Sequence, residues 1–141
     1  MNRALPLEAG KVYICNGDRD AIVAWRKDQL VGMPTPQESQ YNWHPSISKM
    51  TASAIRCCGA DNLLCVMMTG MGNDGAAEMA QVANEGGVVY IQAPDSCVVP
   101  SMPESVLKHT SGLQMGTPER LSSLMMQGVK QLAAEVAYGA C

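Results

Sequence analysis

Between Asp61-Asn62 and Thr69-Gly70, residues Leu63 to Met68 form an unbroken apolar run, and the chain then switches at once to helical spacing. A run of that length between turn residues reads as a strand buried on both faces, and its direct passage through glycines into a helix marks a βα unit. Helix spacing runs from about Gly75 to Glu85, with Ala76, Met79, Ala80 and Ala83 on one face and Gly86-Gly87 as the stop. Val88 to Ile91 is the next buried strand. Such alternation predicts an α/β fold, a mainly parallel sheet flanked by helices.

The remaining segments fit that scheme. Lys11 to Cys15 reads as a strand closed by the turn Asn16-Gly17-Asp18, and Ala21 to Arg26 with Gln29 to Met33 read as a hairpin turning at Lys27-Asp28. Pro34 to Trp43, polar with two prolines, is a surface loop. Pro45-Ser46 opens a helix whose apolar positions Ile47, Met50, Ala54 and Cys58 recur every three or four residues until Gly59 stops it. A short helix covers Pro103 to Thr110. Thr117-Pro118-Glu119 supplies an N-cap, a proline at the first helical position and an acid in the first turn, and the stripe of this last helix is Leu121, Leu124, Met125, Leu132 and Val136.

Composition narrows the function classes. The 141 residues suit one domain, and a formal charge of -3 with a pI near 5.3 offers no basic surface for nucleic acid. No apolar run approaches the ~20 residues of a membrane-spanning helix, and the N-terminus leads into no signal-peptide core, so the expected compartment is the cytoplasm with no membrane insertion. Six cysteines sit inside apolar patterns without any CxxC, which reads as a reduced, packed set. His44 and His109 show no paired ligand spacing, so neither a metal nor a cofactor is expected.

The chemistry concentrates in Thr69-Gly70-Met71-Gly72-Asn73-Asp74-Gly75-Ala76. A turn that leaves a buried strand for a helix lies at the carboxyl edge of the sheet, where open α/β folds build their sites. Its glycines permit close backbone approach, and the N–H groups at the helix start suit an anion or a developing oxyanion. Asp74 reads either as a helix N-cap or as a functional carboxylate. The turn is no phosphate loop, having no GxxxxGK, and no dinucleotide fingerprint, its glycine spacing being wrong for GxGxxG. No serine occupies a nucleophile elbow. His109 reads as solvent-facing, His44 as a turn residue, Cys97 as a packed residue near the site, and the eleven methionines as packing.

Taken together, Thr69 to Ala77, the upstream Gly10-Lys11-Val12-Tyr13-Ile14 with Gly17-Asp18, the helix start His44-Pro45-Ser46-Ile47, and the downstream Gly86-Gly87, Gln92, Ser96-Cys97-Val98-Val99 and Met102-Pro103 resemble, in order and spacing, the chemotaxis protein-glutamate methylesterases, the CheB-type catalytic domain. The resemblance covers about residues 7 to 133. It implies a doubly wound, three-layer α/β/α fold of which residues 1–141 are the C-terminal portion. It also implies hydrolysis of γ-glutamyl methyl esters, and deamidation of particular glutamines, on methyl-accepting chemotaxis receptors by a Ser-His-Asp triad. Asp74 stands at the position of the triad aspartate, and the backbone N–H of Met71 at one that helps line the oxyanion site. The family's serine and histidine belong to the half of the domain before residue 1, so a separate or continuous N-terminal half is an implied partner, and so is the receiver domain that usually precedes the catalytic domain and is not present here. The chain departs from the family in Asp20, where a histidine is usual, in Ser48, where an aspartate is common, and in Pro94 and Pro100. Two readings follow: an enzyme whose triad is completed from outside this chain, or an inactive relative that binds receptors or partners without turnover.

Overall fold

The computed structural model describes residues 2–139, with side chains through residue 134. The chain forms two compact units, Met1–Cys58 and Gly59–Cys141.

In the first unit, β1 (Leu5–Pro6), β2 (Asp20–Arg26) and β3 (Gln29–Thr35) form an antiparallel sheet in the order β1-β3-β2, and α1 (Ile47–Cys58) lies against β2. The hairpin turns at Lys27-Asp28 as expected, with Ala24 opposite Val31, and it extends to pair Asp20 with Thr35. The strand expected at Lys11 to Cys15 does not form, and Val12 and Ile14 are 91% and 80% exposed. The edge of β3 that the segment would reach is taken by β1 (Leu5 opposite Gly32) and by the Leu7 N–H bond to Leu30 O (2.9 Å). Tyr13 instead folds back, its hydroxyl donating to Pro6 O and accepting the Glu8 N–H.

Helix α1 starts where expected, with Ser46 Oγ accepting the Lys49 N–H (3.2 Å) as an N-cap. Its buried face is different. Lys49, Thr51 and Ser53 are the buried residues, whereas Ile47, Met50, Ala54 and Cys58 are half-buried. The hairpin presents polar groups to the helix, and polar side chains must answer them. Ser53 Oγ accepts the Val23 N–H (2.9 Å), and Trp25 Nε1 donates to Cys57 O (2.9 Å).

The strongest of these groups is Asp20, 1% exposed. Oδ1 accepts from His44 Nδ1 (2.8 Å) and from the Ser46 N–H (3.0 Å), while Oδ2 accepts from Lys49 Nζ (3.2 Å) and the Glu38 N–H (3.3 Å). Lys49 also pairs with Glu38 Oε1 (2.7 Å) and donates to Thr35 Oγ1 (2.8 Å). Burial opposes the charge of Asp20, but hydrogen bonds from His44, Ser46 and Lys49 outweigh it and hold the carboxyl at about 2, below its ordinary 3.8. Because the folded value is the lower one, the carboxylate stabilises the unit above its ordinary value, and the contribution fades as pH falls from near 3.8 through about 2. Asp20→Ala takes from Lys49 one of its two carboxylates and leaves His44 and the Ser46 and Glu38 N–H groups without their acceptor, and is expected to cost about 3 kcal/mol at neutral pH. Denaturant unfolding followed by the fluorescence of Trp25 and Trp43, both in this unit, measures it, and the deficit should shrink below pH 3.

In the second unit, β4 (Leu64–Met67), β5 (Val88–Gln92) and β6 (Gln114–Gly116) form a parallel sheet in that order, connected through α2 (Ala76–Asn84) and α3 (Ser101–Leu107) and closed by α4 (Pro118–Gly139). All five residues of β5 are buried, so both of its faces are covered. Val88 and Tyr90 pack with Leu121 and Leu124 of α4, and strand alternation leaves Val89 and Ile91 to the opposite face, toward α2. Gly128 lets α4 settle on the sheet, since a Cβ there would come within 2.7 Å of Leu64 and 2.8 Å of the Tyr90 hydroxyl.

Strand β4 does not match the expectation of burial on both faces. Only Met67 is fully buried, because β4 pairs with β5 alone among the described residues. Even so, burial pushes the Cys65 thiol up to about 11. Met125 turns out of the α4 stripe at 41% exposure, and the side chain of Val136 lies outside the described residues.

Candidate active site

The turn after β4 runs along the carboxyl edge of the parallel sheet from Met68 to the first residue of α2, Ala76. Two of its glycines have left-handed φ, Gly72 at 113° and Gly75 at 81°, and Gly75 occupies the N-cap position of α2. Asp74 therefore stands one residue outside the cap, half-buried in the turn. Gly70 is needed for a close approach, because a Cβ there would come within 2.8 Å of Met102 Sδ in α3.

A second segment, from Gln92 to Met102, is stitched to this turn. The Thr69 N–H donates to Gln92 Oε1 (3.0 Å), the Gly70 N–H to Val99 O (2.9 Å) and the Gly72 N–H to Ser101 Oγ (3.1 Å). Bonds also return. Val99 N–H donates to Thr69 Oγ1 (3.0 Å), while Met102 N–H (3.2 Å) and Ser101 Oγ (3.0 Å) both donate to Gly70 O. From Thr69 to Gly72, every backbone N–H is occupied except that of Met71, which has no partner among the described residues. The Met71 side chain is 75% exposed. Within Thr69 to Gly72 one donor is thus left open between bonded neighbours, three residues before a carboxylate.

The other sequence candidates fall elsewhere. His109 is exposed, as expected. His44 belongs to the first unit, where its Nδ1–H serves Asp20, whose ionised carboxyl can only accept. Cys97 is half-buried beside the site, with Sγ against Ala93 O (3.5 Å) and Gln92 O (3.9 Å). The described cysteines, Cys15, Cys57, Cys58, Cys65 and Cys97, are all unbridged. Among the described residues no three His, Cys, Asp or Glu side chains gather to hold a metal, and no helix is long and apolar enough to cross a membrane. Sequence reasoning missed the stitching side chains, Gln92 and Ser101. The one available signal for Gln92 was a polar residue closing an apolar strand run.

The model of the CheB methylesterase family matches residues 1–125. The chain belongs to that family. Among its relatives, a protein-glutamate methylesterase/protein-glutamine glutaminase 3 of Vibrio cholerae is 60% identical over 99% of this chain, and one of Rhodospirillum rubrum is 33% identical over 96%. The chain spans 39% and 36% of the lengths of those two relatives. In fold it is similar to the Thermotoga maritima CheB methylesterase catalytic domain, with a TM-score of 0.75 at 24% identity, covering 87% of this chain and 67% of that one.

Backbone strain at Gly72 gives a direct check on the turn. At φ 113° any side chain is disfavoured, so Gly72→Ala is expected to destabilise the chain by about 1–3 kcal/mol. Thermal melts of the parent and variant measure it.

Proposed function

We propose that the chain is part of a protein-glutamate methylesterase and glutamine deamidase, in which it supplies the orienting carboxylate and one oxyanion donor. The single observation that supports this reading is the open Met71 N–H on a rigid turn that also carries Asp74. A serine and a histidine from outside residues 1–141 complete the triad in this reading. The histidine takes the serine proton as the oxygen attacks the γ-glutamyl carbonyl, and Asp74 holds its tautomer and stabilises the imidazolium. The charge that develops on the carbonyl oxygen is met by the Met71 N–H, whose position is set before the reaction begins. Collapse of the tetrahedral intermediate releases methanol, or ammonia from a glutamine, with the proton returned by the histidine, and water then frees the glutamate. The substrates are methyl-accepting receptors of a chemotaxis pathway, met in the cytoplasm, with an N-terminal half and a receiver domain as covalent or separate partners.

The alternative, a binding module without turnover, is separated by one experiment. In a chimera where this chain replaces its matching segment in the Vibrio cholerae relative, Asp74→Asn keeps the shape of the side chain while removing its charge. If Asp74 orients the histidine, methanol release from methylated receptor should fall by about 10⁴, with the folded state retained. A full rate in the folded variant would remove Asp74 from the mechanism, and a parent chimera that folds and binds receptor without turnover would favour the binding module.

A further inference from the structure

The side chain of Gln92 is 3% exposed and bonded at both ends. It closes β5, whose register places Ile91 beside Met67, so the residue lies level with the point where β4 gives way to the turn. Oε1 reaches across to the Thr69 N–H (3.0 Å), and Nε2 donates in the other direction to Ser96 O (3.0 Å). Ser96 is in turn fixed by its own Oγ bond to Ala93 O (2.8 Å). No other described side chain joins the Thr69 amide to the segment that carries Val99 and Ser101, the two residues that occupy the neighbouring amides of Gly70 and Gly72. The orientation of the Met71 peptide is set by the bonds on either side of it, at Gly70 and at Gly72, and the turn enters that pair through Thr69.

We propose that Gln92 is a positioning residue for the oxyanion donor, using its amide to fix the Thr69 end of the turn against the Ser96 segment and so aiming the Met71 N–H. The proposal rests on the methylesterase reading of the same turn. An amide is the group the place requires, because one end must accept and the other donate. Glutamate retains the acceptor for Thr69 but sets a second acceptor against Ser96 O, and leucine retains neither bond.

Two measurements test it. On the chain by itself, Gln92→Leu should raise amide hydrogen exchange at Thr69, Gly70 and Gly72 by about tenfold or more while leaving Val89, inside β5, unchanged. In the chimera, Gln92→Glu should lower kcat by about tenfold and Gln92→Leu by about a hundredfold, with KM within about threefold of the parent, and affinity for a boronate analogue of the tetrahedral intermediate should fall in step with kcat. Unchanged exchange at the turn, or an unchanged kcat in either folded variant, overturns the proposal. So does loss of the folded state in both variants, since Gln92 would then serve stability rather than geometry. Comparison with Asp74→Asn separates the levels: an inactive Asp74→Asn beside full-rate Gln92 variants defeats the positioning role alone, whereas a full-rate Asp74→Asn defeats the methylesterase assignment of the site.

Discussion

The exchange of hydrogen bonds between the turn at Thr69 to Gly72 and the segment from Gln92 to Met102 is the constraint on which the candidate site depends. A glycine-rich turn at a sheet edge has many accessible conformations, and a donor on it has no fixed direction until those are removed. Here they are removed by side chains that each work twice: Thr69 Oγ1 and Ser101 Oγ both donate and accept, and Gln92 bonds at each end. Rigidity of this kind is what an oxyanion donor requires, because its advantage over water lies in being oriented before charge develops.

The sheet below makes that stitching possible. Parallel pairing of β4 with β5 brings their carboxyl ends to one level, so the loops that leave them meet. The buried residues of β5 hold this level between α4 and α2, and the glycines at 70 and 128 allow α3 and α4 to approach as closely as they do. In the first unit a different solution appears. Asp20 gathers the loop before α1, the first turn of that helix and the end of the hairpin onto one buried carboxylate, in place of an apolar contact. Such a cluster is exacting, since each missing partner removes a hydrogen bond from a buried polar group.

How much of this could be read beforehand follows from the range of each interaction. The elements set by apolar periodicity, namely the hairpin, β5, α2 and α4, were legible, as was the glycine-punctuated turn that leads from β4 into α2. The short β6, Gln114 to Gly116, has no apolar pattern, and it exists because β5 offers an edge. Lys11 to Cys15 has a strand pattern and yet pairs with neither sheet, Tyr13 bonding instead to Pro6 and Glu8. The charge cluster and the stitching of the site stayed invisible for one reason. Their partners are 11 to 32 residues apart in the chain, and most pair a side chain with a distant backbone group or charge, a relation that leaves no periodic trace. Lys49 was the exception in principle, a cation within a helical run of small and apolar residues.

The central claim is that the N–H of Met71, which has no partner among the described residues, is the donor the reaction uses. Replacing the amide nitrogen of Met71 with an ester oxygen, by introducing the corresponding α-hydroxy acid into the chimera, deletes this hydrogen and leaves every side chain in place. The account predicts that kcat for methyl-ester hydrolysis falls by about 10²- to 10³-fold with KM nearly unchanged. A kcat within a few-fold of the parent, in a folded protein, would contradict it.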